Sequence, residues 1–145
     1  MSVPGFRPID ITTDVQGETM TAQRDTKQRQ AIRAVFGKHQ RPLTVQDVLA
    51  RAARKHPRIS QATVYRNLKK LIESGWLVEV NVPEIGTLYE RADKSHHHHF
   101  YCRSCQKLYE MPGCPLAGRT EPPEGFVEES HELFVYGQCA DCVSP

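Results

Sequence analysis

The residues of this chain best suited to chemistry are His96-His97-His98-His99-Phe100-Tyr101-Cys102-Arg103-Ser104-Cys105, four consecutive imidazoles running into a Cys-x2-Cys pair. A second pair, Cys139-x2-Cys142, follows after 33 intervening residues. A Cys-x2-Cys hook brings two thiolates to one ion from a single tight turn and leaves two positions for another hook. Cys102, Cys105, Cys139 and Cys142 therefore make an all-sulfur tetrahedral set, the closed ligand set of structural zinc. The spacing is longer than in a simple zinc ribbon, so such a zinc would tie a whole subdomain. Two disulfides or four unrelated thiols are the alternative. If Phe100 and Tyr101 continue a strand from the histidines, alternation puts His97 and His99 on one face and His96 and His98 on the other. One strand could then supply two metal sites, or the run is simply solvated.

The elements that must position these residues follow from periodicity. Residues 1–20 are polar, turn-rich and aperiodic, and read as a flexible arm without a signal peptide. From Thr26 an apolar stripe of Ile32, Val35 and Phe36 predicts a helix ending near Gly37. Thr44 is a candidate N-cap with Asp47 three residues on, opening a second helix with Val45, Val48, Leu49 and Ala52 inward. Ser60 caps a third, which buries Val64, Leu68, Leu71 and Ile72 and stops at Gly75. Trp76–Val82 and Thr87–Glu90 then read as a hairpin across Pro83-Glu84-Ile85-Gly86. After a hinge at 93–95, the rest reads as strands: Phe100 to Cys102, Lys107 to Met111 and Phe126 to Tyr136, leaving room for only a very short helix. The fold class is α+β, with a winged helix-turn-helix domain over 21–92 and a small α/β metal-binding dimerisation domain over 96–145.

Charge separates the same two halves. Residues 21–75 carry 13 Lys/Arg against 3 Asp/Glu, while the rest of the chain carries 6 against 14, so a net of +2 hides a basic half beside an acidic one. A polyanion, and nucleic acid first, is the implied partner of the basic half. In a helix-turn-helix the last helix enters the major groove N-terminus first. Gln61, Thr63, Tyr65 and Arg66 are then placed to reach base edges, and Arg58, Lys69 and Lys70 to take phosphates. An ordinary three-helix bundle with a solvated basic face is the alternative. No apolar run is long enough to span a membrane, and the expectation is a cytoplasmic protein whose cysteines bind metal.

A winged helix ending in Ser-x2-Thr-Val-Tyr-Arg-x-Leu, followed by a His-rich Cys-x2-Cys and by Tyr-Gly-x-Cys-x2-Cys, resembles the ferric uptake regulator family over roughly residues 22–143. The resemblance is carried by Arg24, Thr26 and Arg29; Ser60 to Leu68 with Gly75; Glu90; His96 to Cys105; and His131 to Cys142. It implies a homodimeric, metal-responsive transcription regulator, usually a repressor, that binds AT-rich inverted-repeat DNA and is not an enzyme. By resemblance, Cys102, Cys105, Cys139 and Cys142 hold structural zinc, and Glu90, His97, His99 and Glu110 form the regulatory site at the hinge. His96, His98 and His131 match a further site. Tyr65 and Arg66 match base-contacting positions, and Arg24 matches a basic residue reaching the minor groove.

The chain departs from that pattern in places. A histidine that often joins the hinge site corresponds to Pro42, with His39 three residues earlier. The carboxylate usual in the further site corresponds to Ala117, leaving Glu121, Glu124 or water to complete it, and Cys114, with no obvious partner, reads as a half-buried free thiol, a redox or metal role being the alternative. Imidazole and carboxylate donors suit Fe(II), Zn(II), Mn(II) or Ni(II). Iron is the first choice because no thiolate stands beside Glu90, and zinc the second. The competing readings are a peroxide sensor of the same family, a zinc-stapled DNA-binding protein without sensing, and, in a different class, a metallohydrolase. The last would need an open metal position and a base beside bound water, and no His-Glu-x-x-His is present.

Overall fold

The computed structural model describes residues 15–144, with side chains described from residue 26 onward. Its elements run α1 (Val15–Lys38), α2 (Val45–Ala52), α3 (Gln61–Glu73), β1 (Leu77–Val82), β2 (Gly86–Arg91), β3 (His97–Cys102), β4 (Leu108–Pro112), β5 (Phe134–Gly137) and α4 (Ala140–Val143). Helix α1 starts eleven residues before the expected start at Thr26, so residues 15–20 belong to a helix and not to the expected arm. Once a buried turn has nucleated a helix, each added residue gains a hydrogen bond at little cost, and no proline interrupts 15–25. Residues 1–14 lie outside the described residues.

Local signals in the chain set the next two helices. Thr44 Oγ1 accepts from the Asp47 amide at 3.1 Å while Asp47 Oδ2 accepts from the Thr44 amide at 3.2 Å, a reciprocal capping box. Ser60 Oγ caps α3 through the Thr63 amide at 3.1 Å, and Gly75 ends it with a φ of 71°, a conformation suited to glycine. The three helices pack Ile32, Val35, Phe36, Val48, Val64, Leu68 and Leu71 into one core, closed by Leu77 and Tyr89 of the hairpin. An isolated bridge between Leu43 and Tyr89 ties the α1–α2 connection to β2.

The second half is a three-stranded sheet in the order β4-β3-β5, with β3 antiparallel to β4 and parallel to β5. A smaller core joins it to the hairpin: Val80, Val82 and Leu88 meet Leu108, with Ile85, Tyr101 and Phe134 packed around them. The last strand is much shorter than the sequence suggests. Residues 113–133 form turns and loop without a buried residue, and Phe126 and Val127 are 70% and 86% exposed. Strand β3 already has a partner on each side, so 126–133 has no free edge of β3 to pair with. Among the described residues no helix is long and apolar enough to cross a membrane.

Candidate metal centres and the basic helix

Three groups of ligand-type side chains converge among the described residues: Cys102, Cys105, Cys139 and Cys142; Glu90, His97 and His99; and His96, His98, Cys114 and His131. Within each group the ligand atoms lie within 4.8 Å of one another. Alternation along β3 separates the histidines as expected, His97 and His99 to one face and His98, with the preceding His96, to the other.

The four sulfurs are gathered by the turn after β3 and by the start of α4. Cys105 Sγ and Cys139 Sγ are 3.8 Å apart, the edge of a tetrahedron whose centre-to-sulfur distance is about 2.3 Å. Cys102 is fully buried, and its sulfur accepts from the amides of Cys105 at 3.5 Å and Cys139 at 3.3 Å. Those amides draw its thiol down to about 6. The Tyr109 hydroxyl, 3.8 Å from Cys105 Sγ, supports the cluster's charge and lowers Cys139. Cys142 is pushed up to about 12, chiefly by its contact with Cys139. Four crowded sulfurs cannot all ionise without a cation among them, and this donor set fits zinc.

The second group spans the junction between hairpin and sheet. Glu90 is 5% exposed at the end of β2. Its two oxygens lie 3.1 and 3.2 Å from His97 Nε2, and Oε2 lies 3.4 Å from His99 Nε2. Burial opposes ionisation of Glu90, but the hydrogen bond and charge of His99, with His97 and Lys94, outweigh it and hold the carboxyl below its ordinary value. His97 Nδ1 lies 2.7 Å from the Ser95 carbonyl, which accepts only, so that nitrogen carries a proton. His97 Nε2 is thereby the ring nitrogen turned towards the Glu90 carboxylate. A carboxylate and two imidazole nitrogens gathered this closely form a donor set that fits a divalent cation.

Glu110 stands opposite His99 in the β3–β4 register, on the correct face. Its carboxylate, however, is not gathered with Glu90, His97 and His99. Glu110 Oε2 takes the Lys94 ammonium at 2.7 Å, and Lys94 also reaches Glu90 at 3.5 Å and donates to the Gln40 carbonyl. The chain thus places its own cation between the two carboxylates, which spacing alone did not reveal. Pro42 is buried, and His39 does not replace the missing histidine. Its Nε2 accepts from Arg51 Nε at 3.0 Å, and burial and the Arg51 charge lower its pKa.

The third group corrects the expectation for Cys114. Far from being partnerless, its sulfur lies 3.2 Å from His98 Nε2 and 3.1 Å from His131 Nε2. Glu121 and Glu124 are exposed and outside the group. Glu128 instead takes His131 Nδ1 at 2.6 Å. The useful signal was a cysteine one residue after a turn glycine, just past the strand that borders the histidine face.

On α3, Gln61, Tyr65, Arg66 and Lys69 are exposed, Tyr65 by 48%. Thr63 is not available as expected, being 9% exposed with its hydroxyl held at 2.9 Å by Ser60 and at 3.3 Å by Arg66. Its position at the third residue of the helix serves the cap. Arg24 lies outside the residues whose side chains are described.

A three-helix and hairpin unit carrying a basic helix, joined to a small sheet with three clusters of metal-type donors, defines a protein of the metal-responsive regulator class. The profile of the Ferric uptake regulator family matches residues 21–136, and the chain belongs to that family, whose members are transcription regulators. A ferric uptake regulation protein of Campylobacter jejuni is 35% identical over 85 residues, which is 56% of this chain and 54% of that protein, about half the length of each. A zinc uptake regulation protein of Mycobacterium tuberculosis is 30% identical over 124 residues, 83% of this chain and 95% of that protein. The peroxide operon regulator of Bacillus subtilis is 31% identical over 128 residues, 84% and 86% of the two chains. The solved ferric uptake regulator of Helicobacter pylori shares the fold at a TM-score of 0.66, with 22% identity and coverage of 88% of this chain and 90% of that one.

Proposed function

We propose that this protein is a metal-dependent transcription regulator, a repressor that binds an AT-rich inverted-repeat operator as a homodimer when a divalent metal occupies the hinge cluster of Glu90, His97 and His99. The observation that carries the proposal is the buried Glu90 carboxylate gathered with the Nε2 atoms of His97 and His99 at the joint between hairpin and sheet. A metal bound there would take the carboxylate and both imidazoles as ligands. Glu90 on β2 and the histidines on β3 are then tied together, which fixes the connection between the winged-helix unit and the sheet. Glu110 is placed to join the set when it exchanges Lys94. In a dimer, that connection sets the separation of two α3 helices, which must match half-sites about one helical turn apart. The metal shifts that equilibrium only by its differential affinity for the two placements.

In this reading Tyr65 and Arg66 meet base edges, Gln61 assists, and Lys69 and Arg24 take backbone or minor-groove contacts. Cys102, Cys105, Cys139 and Cys142 hold a structural zinc, and His96, His98 and His131 form an additional metal site. Iron is the first candidate at the hinge because no thiolate is among its donors, with zinc the second.

The test is a titration of operator-like DNA binding under anaerobic conditions, using protein that carries only the four-cysteine zinc. Wild type and a Glu90→Ala/His97→Ala variant are compared with Fe(II), Zn(II), Mn(II) and Ni(II) separately. Tighter binding with one metal in wild type and not in the variant is expected. Binding that no metal changes in wild type would leave a zinc-stapled DNA-binding protein and defeat the sensing role.

A further inference from the structure

The cluster on the opposite face of β3 holds one donor that the additional site of the proposed function does not include. Cys114 Sγ lies 3.2 Å from His98 Nε2 and 3.1 Å from His131 Nε2, and His96 Nε2 lies 3.2 Å from His131 Nε2. Around a zinc with nitrogen at about 2.0–2.1 Å and sulfur at about 2.3 Å, tetrahedral edges run about 3.3–3.7 Å. The observed separations are slightly short of those edges, and all four ligand atoms lie within 4.8 Å of one another.

These four atoms come from three separate stretches of the chain. His131 Nδ1 is 2.6 Å from Glu128 Oε1, a carboxylate that already accepts from the Thr120 hydroxyl, so that nitrogen carries the proton. The Nε2 of His131 is turned away from Glu128, towards both Cys114 and His96. His98 is 1% exposed. A single cation at the centre would take all four atoms as ligands. The carboxylate behind His131 is the partner that metal-bound histidines usually have.

We infer that Cys114 supplies a thiolate to His96, His98 and His131, completing a closed three-histidine, one-cysteine zinc centre. The inference rests on the additional metal site proposed above and assigns its fourth donor and its metal class. Three imidazoles and one thiolate select Zn(II) over Fe(II), and a closed four-donor set leaves no position for substrate or water. The centre also has a structural task. Residues 113–133 bury no side chain of their own, yet Cys114 and His131 sit at the two ends of that loop. Pinning both ends to His98 on β3 fastens the loop with metal where no apolar core is available. The chain would then hold two structural zincs besides the hinge metal.

Cobalt distinguishes this centre from the others. The probe is Co(II) added anaerobically to full-length protein that retains its four-cysteine zinc, in a Glu90→Gln/His97→Ala background that silences the hinge. Expected is one equivalent of cobalt bound with tetrahedral visible absorption and a near-ultraviolet thiolate-to-cobalt charge-transfer band. In Cys114→Ser the band disappears and cobalt affinity falls at least about tenfold. In the wild-type chain, Zn(II) slows alkylation of Cys114, read by peptide mass spectrometry, which avoids any folding defect of the variant. One equivalent bound without the band, or a band surviving in Cys114→Ser, overturns the thiolate assignment while leaving the three-histidine site standing. No cobalt uptake in the hinge-silenced protein overturns both.

Discussion

Replacing Lys94 by methionine tests whether the chain's own cation competes with metal at the hinge. Lys94 Nζ lies 3.5 Å from Glu90 Oε2 and 2.7 Å from Glu110 Oε2, with side-chain exposures of 17%, 5% and 28% for Lys94, Glu90 and Glu110. A unit-charge pair at that longer distance is worth about 5 kcal/mol at an effective dielectric of about 20, before desolvation and screening reduce it. Partly exposed pairs net about 0.2–1 kcal/mol. The burial of Glu90 places this contact at the top of that range, about 1 kcal/mol. A metal that takes Glu90 must forgo that attraction or sit beside a repelling ammonium. Methionine keeps the aliphatic stem and removes the charge, so hinge affinity should tighten about fivefold. Competition against a fluorescent chelator with Mn(II) reads the difference directly, once retention of the four-cysteine zinc is verified by native mass spectrometry. Unchanged or weaker binding in Lys94→Met would refute the competition. The Gln40 carbonyl contact would then be the role of Lys94, holding the α1–α2 connection against the hinge.

Removal of one sulfur should dissolve the sheet while sparing the helices. Zinc binding in four-ligand peptides is worth about 10–16 kcal/mol, as much as the whole stability of a small domain, and the sheet's own apolar core is small. In Cys139→Ser, the near-ultraviolet tyrosine dichroism should fall as Tyr101, Tyr109 and Tyr136 lose their fixed surroundings, leaving the share of Tyr65 and Tyr89, while the fluorescence of Trp76, packed edge-on to Phe36 at 6.1 Å, is retained; an undiminished tyrosine signal in zinc-free protein would count against this. Asp47 gives a pH signature in the other half. Burial raises its pKa, but hydrogen bonds from Arg51 and Thr44 and the Arg41 charge outweigh that and hold it below the ordinary 3.8. A depressed carboxyl contributes stability that is complete above about pH 5 and fades as pH falls past 3.8 towards the folded value. Asp47→Asn keeps the cap acceptor and loses the charge, so urea unfolding followed by Trp76 should show a deficit of about 1 kcal/mol at pH 7 that shrinks by pH 3.5. An equal deficit at both pH values would contradict that origin.

Much of this protein is determined by local sequence, because its signals act over a few residues. Thr44 with Asp47 and Ser60 with Thr63 specify two helix starts through bonds that span three positions, and Gly75 specifies a stop. The period of two along a strand was enough to assign His97 and His99 to one face and His96 and His98 to the other. The hooks at 102–105 and 139–142 announced a shared four-sulfur cluster before any fold was known. Tertiary structure decided the rest, because those contacts join residues whose separation carries no periodic signal. Glu110 stands opposite His99 in the β3–β4 register, yet its carboxylate takes the ammonium of Lys94 from the connection before β3. Thr63 faces the right end of α3 for DNA, yet the Ser60 cap and Arg66 claim its hydroxyl. Cys114 had no partner in sequence, since its neighbours are a histidine sixteen positions before it and another seventeen after. A loop without an apolar core brings them together, and no pattern of hydrophobicity marks such a loop.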